Sequence, residues 1–141
     1  MKLIGSENKK LRTKSDIVKE SELKSATKFA KKMLVFLNQH PNGCGLSAVQ
    51  VGRMKRIFVI RWQGQKVICI NPEIISSSKT KESMEEGCLS FPGQSKSIKR
   101  PTHVTVKFFN GKHYVEGKIS GFIARIFQHE FDHLEGKVCV V

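Results

Sequence analysis

The feature that most constrains this chain is a pair of histidines four residues apart near its carboxyl end, His129 and His133. Residues 122–135 place apolar side chains at helical spacing and Gly136 is a typical stop signal, so we predict a helix here. On a helix, residues i and i+4 lie one above the other, so both imidazoles can face one ion. Glu130 lies about 100° around from His129, where it reaches a water molecule rather than the ion. This pattern indicates a metal-dependent hydrolase.

A catalytic metal needs a third protein ligand and one open position. Downstream of His133 only Glu135 is available, and it lies on a different helix face. Cys88 is the upstream candidate, because a thiolate beside two imidazoles suits Zn²⁺ or Fe²⁺. A lone cysteine is otherwise a small buried hydrophobe, which is our interpretation of Cys69 and Cys139. For the helix pattern alone, a surface helix carrying unrelated histidines stays an alternative.

The length of the chain predicts one domain over residues 1–141, with residues 1–24 as its polar N-terminal arm. The other predicted elements are a helix near residues 25–40 and two hairpins, 57–62 with 66–70 and 103–109 with 113–119. Because hairpins rather than βαβ units join the strands, we predict an α+β fold with antiparallel sheets packed around the central HExxH helix.

Local signals predict where these elements begin and end. Ser25 is the candidate cap of the first helix, and Pro41-Asn42-Gly43 would stop it. Asn110-Gly111 predicts a tight hairpin turn, since both positions tolerate positive φ. Residues 137–141 are too few for a helix and favour a final strand.

The chain has a formal net charge of +13, from 25 basic and 12 acidic residues. Such a surface attracts nucleic acid, ribosomes or anionic membranes, whereas a solvated lysine-rich face is the plainer interpretation. The lysines do not alternate with aromatics, which argues against a specific nucleic-acid platform. No apolar run approaches the roughly 20 residues of a membrane helix, and the polar N-terminus excludes a secretory signal. Irregularly spaced cysteines predict reduced thiols, and we expect a cytoplasmic protein.

Three segments together resemble the peptide deformylase family, whose motifs read GxGLAAxQ, EGCLS and HExDH in this order. Residues 43–50 (GCGLSAVQ), 86–90 and 129–133 match them. Ser47 replaces the usual alanine, and Cys44 stands where an aliphatic residue is common. The chain resembles a short form that lacks the family's usual C-terminal tail.

The resemblance implies a metal-dependent hydrolase that removes the N-formyl group from the formyl-methionine of new polypeptides and releases formate. It implies Cys88, His129 and His133 as the metal ligands. Glu130 would be the general base toward the attacking water and then the acid toward the leaving amine. Fe²⁺ would be the native ion, with Zn²⁺, Ni²⁺ or Co²⁺ possible in purified protein.

The resemblance also implies roles around the reacting carbonyl. Gln50 through its amide and Leu89 through its backbone N–H would donate to the oxyanion. The substrate-binding residues would be Gly43, Cys44, Gly45, Glu86, Gly87, Phe122, Arg125 and Ile126. The glycine segment would lie beside the bound peptide as a neighbouring strand.

Four charged residues in or near these motifs have predicted positions or partners. Arg125 either reaches the mouth of the methionine pocket or points to solvent. Asp132 and Glu86 need partners close to the ligands, and Arg100 is the candidate partner for one of them.

Two other function classes stay open at this stage. One is an HExxH metallopeptidase, which would share the histidines and Glu130 but not EGCLS or Gln50. The other is a non-enzymatic basic module that binds nucleic acid or ribosomes. For the deformylase we expect a monomer acting on nascent formyl-methionyl peptides, with a ribosome contact through diffuse positive charge and no membrane partner.

Overall fold

A five-stranded antiparallel sheet lies between two helices in a computed structural model that describes all residues from 1 to 141. In chain order the helices and strands are α1 (Leu23–Asn38), β1 (Gly45–Ser47), β2 (Ile57–Trp62), β3 (Gln65–Ser77), β4 (Lys81–Cys88), β5 (Phe91–Pro101), β6 (His103–Phe109), β7 (Tyr114–Ser120) and α2 (Gly121–Leu134). The large sheet has the order β1-β2-β3-β6-β7, and β4 pairs only with β5 in a separate β4–β5 hairpin. All these pairings are antiparallel, which confirms the predicted α+β class.

Strand β2 packs against both helices, one on each face of the sheet. Its first four residues are all buried, because alternate side chains of a strand enter the cores on opposite faces of the sheet. Ile57 and Val59 pack with Met33 and its neighbours on α1. Phe58 packs against Phe127 of α2, with ring centroids 4.9 Å apart. The sheet therefore holds α2 on the face opposite α1.

The start of α1 differs from the prediction. The helix begins at Leu23, and Glu22 is its N-cap residue. The Ser25 hydroxyl lies inside the first turn and donates to the Glu22 carbonyl at 3.0 Å, so the predicted Ser25 cap is wrong. A 3-10 turn over Glu20–Glu22 already leads the chain into the helix.

Both predicted hairpins are confirmed, but one turn has a different geometry. Gly111 has a φ of 101°, whereas Asn110 is not among the residues with positive φ. The Asn110 side chain instead accepts hydrogen bonds from the backbone N–H groups of Lys112 and His113. The turn is thus longer than the tight Asn-Gly turn predicted from the sequence.

The hydrophobic pattern missed the β4–β5 hairpin and placed a final strand where none exists. β1 lies in the glycine segment that the family resemblance implied to be a strand. Residues 137–141 form no strand, and Val140 packs with Leu11 and Phe91 in a small cluster. Most β4 and β5 side chains are exposed, so the alternation that marks a half-buried strand is weak there. Neither helix is long and apolar enough to span a membrane.

Candidate metal centre and active-site cleft

Side chains from α2 and from the end of β4 converge on one point. Cys88, His129 and His133 each offer a ligand atom, and these atoms lie within 4.8 Å of one another. The Cys88 Sγ is 3.3 Å from His133 Nε2. One sulfur and two imidazole nitrogens suit a divalent ion such as Zn²⁺ or Fe²⁺ and leave a coordination position open. The residues present therefore fit a single metal ion.

A buried carboxylate orients the first histidine. Glu86 Oε1 lies 2.7 Å from His129 Nδ1, which leaves Nε2 as the nitrogen available to an ion. Arg100 donates to both oxygens of Glu86, at 2.6 and 2.9 Å, and to Asp132 Oδ2 at 2.9 Å. Burial alone would raise the pKa of Glu86, but hydrogen bonds from His129 and Arg100 hold it well below its usual range. Arg100 was predicted to pair with either Glu86 or Asp132, and it contacts both.

The two histidines have different electrostatic surroundings. Burial lowers the pKa of His133 to about 3, so its ring is neutral, the form that binds metal. Burial also lowers the pKa of His129, but hydrogen bonding with Cys139, Cys88 and Glu86 outweighs it and raises that pKa well above its usual value. The groups around His129 therefore favour positive charge at this point of the site.

Glu130 points from α2 toward β1. Its side chain is buried, and Oε1 has no hydrogen-bond partner. Burial raises the pKa of this carboxyl group to about 7, although the charge of His129 opposes the shift. The carboxylate lies against Gly45, where an added Cβ would be 2.7 Å from Oε2. The glycine therefore makes the space that the carboxylate fills.

Hydrogen bonds hold both the oxygen and the NH₂ group of the Gln50 side-chain amide. The Ser47 backbone N–H and hydroxyl both donate to Gln50 Oε1, at 2.9 and 3.0 Å. The other end of the amide is therefore the NH₂ group, which lies 3.4 Å from Cys88 Sγ and 3.0 Å from Ser90 Oγ. Leu89 lies in the turn between β4 and β5, outside the strand pairing. Both predicted oxyanion donors thus lie beside Cys88.

A cleft of about 350 Å³ opens beside these groups. β1 is an edge strand that pairs only with β2, so its other edge is free to pair with an extended peptide. All eight predicted substrate-binding residues line the cleft, six of them without a charged group: Gly43, Cys44, Gly45, Gly87, Phe122 and Ile126.

The other two predicted substrate-binding residues have their polar groups turned away from a substrate, although both contribute to the cleft wall. Glu86 is buried, and both of its oxygens accept hydrogen bonds from protein groups. Arg125 is only 7% exposed and donates to Glu86 Oε2 at 2.5 Å. The predicted solvent position of Arg125 is therefore wrong. The side chain does line the cleft, as the other prediction expected, but its guanidinium donates to Glu86 and to backbone carbonyls. A buried carboxylate on β4 compensates its charge in the interior.

The sequence interpretation missed a contact made by Cys139. The thiol is half-buried and lies 3.6 Å from His129 Nδ1 and 3.7 Å from Glu86 Oε1. No spacing or motif marks this position, because residues 137–141 reach the site through the fold of the chain after α2. Cys69, by contrast, is fully buried as predicted, and all four cysteines are free.

A buried carboxylate beside a site with three metal-binding donors, within an antiparallel α+β scaffold, is the arrangement of a metal-dependent hydrolase. Comparison with known proteins specifies which one. The family model described as polypeptide deformylase matches residues 1–141, and the chain belongs to that family.

Individual relatives agree with this assignment. The peptide deformylase of Thermotoga maritima is 38% identical over 138 residues, covering 93% of this chain and 84% of the relative. The crystal structure of a class I type b peptide deformylase from Acinetobacter baumannii has a TM-score of 0.92 at 32% identity, covering 98% of this chain and 95% of that one. A peptide deformylase from Synechococcus elongatus, solved in complex with actinonin, has a TM-score of 0.87 at 29% identity, covering 96% and 74%. These matches confirm the predicted family and fold.

Proposed function

We propose that this protein is a metal-dependent peptide deformylase that hydrolyses the N-formyl group of formyl-methionyl polypeptides to formate and a free N-terminus. The observation that carries the proposal is the convergence of Cys88, His129 and His133 within 4.8 Å beside the buried carboxylate of Glu130. Family membership supports the same reaction.

The metal would be held by Cys88, His129 and His133. A bound divalent ion supplies Lewis acidity for a carbonyl oxygen and for water. The sulfur and nitrogen donors accept Fe²⁺, Zn²⁺, Ni²⁺ or Co²⁺, and family resemblance favours Fe²⁺ as the native ion.

Glu130 is the proposed proton carrier. Its free Oε1 has no protein partner and can therefore take a proton from the attacking water. The same carboxyl group then gives the proton to the leaving amine, so that base and acid steps use one residue. The carboxylate lies so close to β1 that a Cβ added at Gly45 would be 2.7 Å from its Oε2.

Gln50 and Leu89 are the proposed donors to the oxyanion. The Gln50 amide is held in place by Ser47 before any substrate binds, so it needs little reorganisation as negative charge develops. The Leu89 backbone N–H lies outside the strand pairing and is placed next to Cys88 by the chain itself. Both donors are neutral and leave the charge balance of the site unchanged.

The substrate peptide is proposed to extend along the free edge of β1. Gly43 and Gly45 let a second backbone approach closely, and an added Cβ at Gly43 would be 2.9 Å from the Leu89 side chain. Phe122, Ile126 and Cys44 line the cleft and would form the wall of the methionine pocket.

Formate release from formyl-Met-Ala-Ser by protein loaded anaerobically with Fe²⁺ or Ni²⁺ tests the proposal. We expect turnover that is lost in Glu130→Gln, which keeps the shape of the side chain but cannot take the proton. Cleavage of the Met–Ala bond in unformylated Met-Ala-Ser, without formate release from the formylated peptide, would indicate a metallopeptidase instead.

The compartment, oligomeric state and ribosome contact belong to the same proposal. A substrate that emerges from ribosomes and four free cysteines support a cytoplasmic enzyme, and we propose that it acts as a monomer. For the ribosome, α1 offers a face of exposed lysines opposite its buried side: Lys24, Lys28, Lys31 and Lys32. We call it the α1 lysine face. None of these lysines forms an ion pair, since the lysine pairs involve only Lys14 and Lys55.

Salt dependence tests this ribosome contact. Reversing three charges of the α1 lysine face to Glu, at positions 24, 28 and 31, should weaken ribosome binding and reduce the slope of log K against log salt by about two. The matched control reverses three exposed lysines elsewhere, Lys66, Lys81 and Lys118. Equal losses in both variants would show that total charge matters and not this face.

A further inference from the structure

Arg125 joins helix α2 to the β4–β5 hairpin through three acceptors. Its Nη1 donates to Glu86 Oε2 at 2.5 Å and to the Ile98 carbonyl at 3.0 Å. Its Nη2 donates to the Glu82 carbonyl at 2.7 Å. Glu82 and Glu86 belong to β4 and Ile98 to β5, so one side chain contacts both strands of the hairpin.

Most other contacts that attach the hairpin are polar, apart from buried Phe91 at the start of β5. It is not part of the five-stranded sheet. Most of its side chains are exposed, so it buries little apolar surface against the rest of the protein. Further polar links to α2 run from Arg100 on β5 to Asp132, from Glu86 on β4 to His129, and from the Gln128 amide to the Pro101 carbonyl on β5. Ionic and hydrogen-bond contacts therefore account for much of what sets the hairpin's position on the helix.

The position of the hairpin matters because it carries one metal ligand. Cys88 ends β4, two residues after Glu86. His129 and His133 lie on α2, one and two turns after Arg125. Any shift of the hairpin along α2 changes the distance between the sulfur and the two imidazoles. The contacts between the hairpin and α2 therefore determine how precisely the three donor atoms are placed.

We infer that Arg125 is a positioning residue for the metal centre, which fixes the β4–β5 hairpin on α2 and so holds Cys88 at the distance where it shares one ion with both histidines. The inference rests on the proposed function, since it assumes that this centre binds the metal. It differs from a role in substrate selection, because the hydrogen bonds of the guanidinium go to protein groups, although Arg125 also lines the cleft.

Affinity for Co²⁺, measured by competition with a chelating dye on the metal-free full-length protein, tests the inference. In Arg125→Met, which keeps an apolar stem of similar length, we expect affinity ten- to a hundred-fold below that of the wild type. At saturating Co²⁺ kcat should recover most of its wild-type value, because all reacting groups are still present. A role in folding alone would leave the affinity of the folded protein unchanged.

Arg61→Met is the matched control. Arg61 also donates to backbone carbonyls, those of His40 and Gly43, but it contacts neither the hairpin nor a ligand. Its replacement should leave Co²⁺ affinity within about twofold of wild type. An equal loss of affinity in both arginine variants would overturn the inference.

Arg125→Lys tests the inference even if the Arg125→Met variant does not fold. Lysine keeps a positive charge opposite Glu86, but one ammonium group cannot reproduce the planar fork that spans a carboxylate and two carbonyls. We expect Co²⁺ affinity between those of the Met variant and the wild type, and wild-type affinity in the Lys variant would overturn the inference. Tight Co²⁺ binding by the wild type without formate release would instead refute the proposed function and leave the positioning role standing.

Discussion

The carboxylate of Glu130 lies in the space that a side chain at position 45 would need. A Cβ built on Gly45 would be 2.7 Å from Glu130 Oε2 and 2.9 Å from its Cγ. The backbone at Gly45 is held by strand pairing opposite Ile60, so it cannot retreat without breaking that pairing. A glycine in an edge strand thus sets the position of the proposed general base.

Gly45→Ala should therefore impair catalysis more than folding. The added methyl group displaces the carboxylate, and misplacement by about 1 Å can reduce turnover about a hundred-fold. We expect kcat for formyl-Met-Ala-Ser to fall at least tenfold, with a much smaller change in melting temperature. Gly117→Ala is the control, since an added Cβ there has no heavy atom within 4 Å. Full activity in Gly45→Ala would mean that the position of Glu130 is not limiting.

Gln50 and Ser47 should make unequal contributions to turnover. Gln50→Leu removes the amide donor, and loss of one such donor typically lowers kcat by about 10²–10³. Ser47→Ala removes only the hydroxyl, while the Ser47 backbone N–H still holds Gln50 Oε1 at 2.9 Å. We expect a loss below tenfold for the Ser47 variant. A Gln50→Leu enzyme within tenfold of wild type in kcat would exclude its side chain as an oxyanion donor.

The sequence predicted the site well where the chemistry depends on local spacing. His129, Glu130 and His133 belong to one helical turn, and Cys88 and Gln50 lie in short motifs, so their convergence follows from the fold that those motifs accompany. Arg125 shows the limit of this reasoning. Its partner, Glu86, is 39 positions away on a hairpin whose exposed, polar strands give little periodic signal.

The C-terminal residues show the same limit. A pattern-based prediction assigned residues 137–141 to a strand, but Gly136 turns the chain with a φ of 77° and an added Cβ there would clash with the Arg12 backbone. This turn precedes Cys139, whose thiol lies beside Glu86 and His129. Such a contact depends on the N-terminal arm, on α2 and on β4 together, and no single segment encodes it.

Glu86→Gln should destabilise the metal-free protein substantially. The substitution keeps the size of the side chain but leaves Arg100 and Arg125 without their shared buried counter-charge. Breaking a buried ionic contact in this way typically costs about 3–5 kcal/mol. Urea unfolding measures the change, and Glu82→Gln, at an exposed position of the same strand, serves as the control. A loss below about 1 kcal/mol would show that water compensates both arginines.

The contribution of Glu86 should also depend on pH. Its pKa is lowered in the folded protein from a reference value of 4.5, so its stabilising effect is fully present above that value. The effect is lost as the pH falls through the lower folded-state pKa, because the protonated carboxyl group no longer compensates the arginines. Unfolding free energies of wild type and Glu86→Gln should therefore converge on acidification. A difference that stays constant down to the lowest pH at which both proteins are folded would contradict this.

Metal removal should lower thermal stability, since Cys88, His129 and His133 come together only in the folded chain. A ligand that binds the native state stabilises it by about 4 kcal/mol at a thousandfold excess over its Kd, which corresponds to a shift of about 10 °C in Tm for a domain of this size. Scanning calorimetry of chelated and Co²⁺-loaded protein measures the shift. Cys69→Ala removes a buried thiol that is not among the three donors and should keep the full shift, whereas Cys88→Ala should lose most of it. An equal shift in the two cysteine variants would exclude Cys88 from the metal centre.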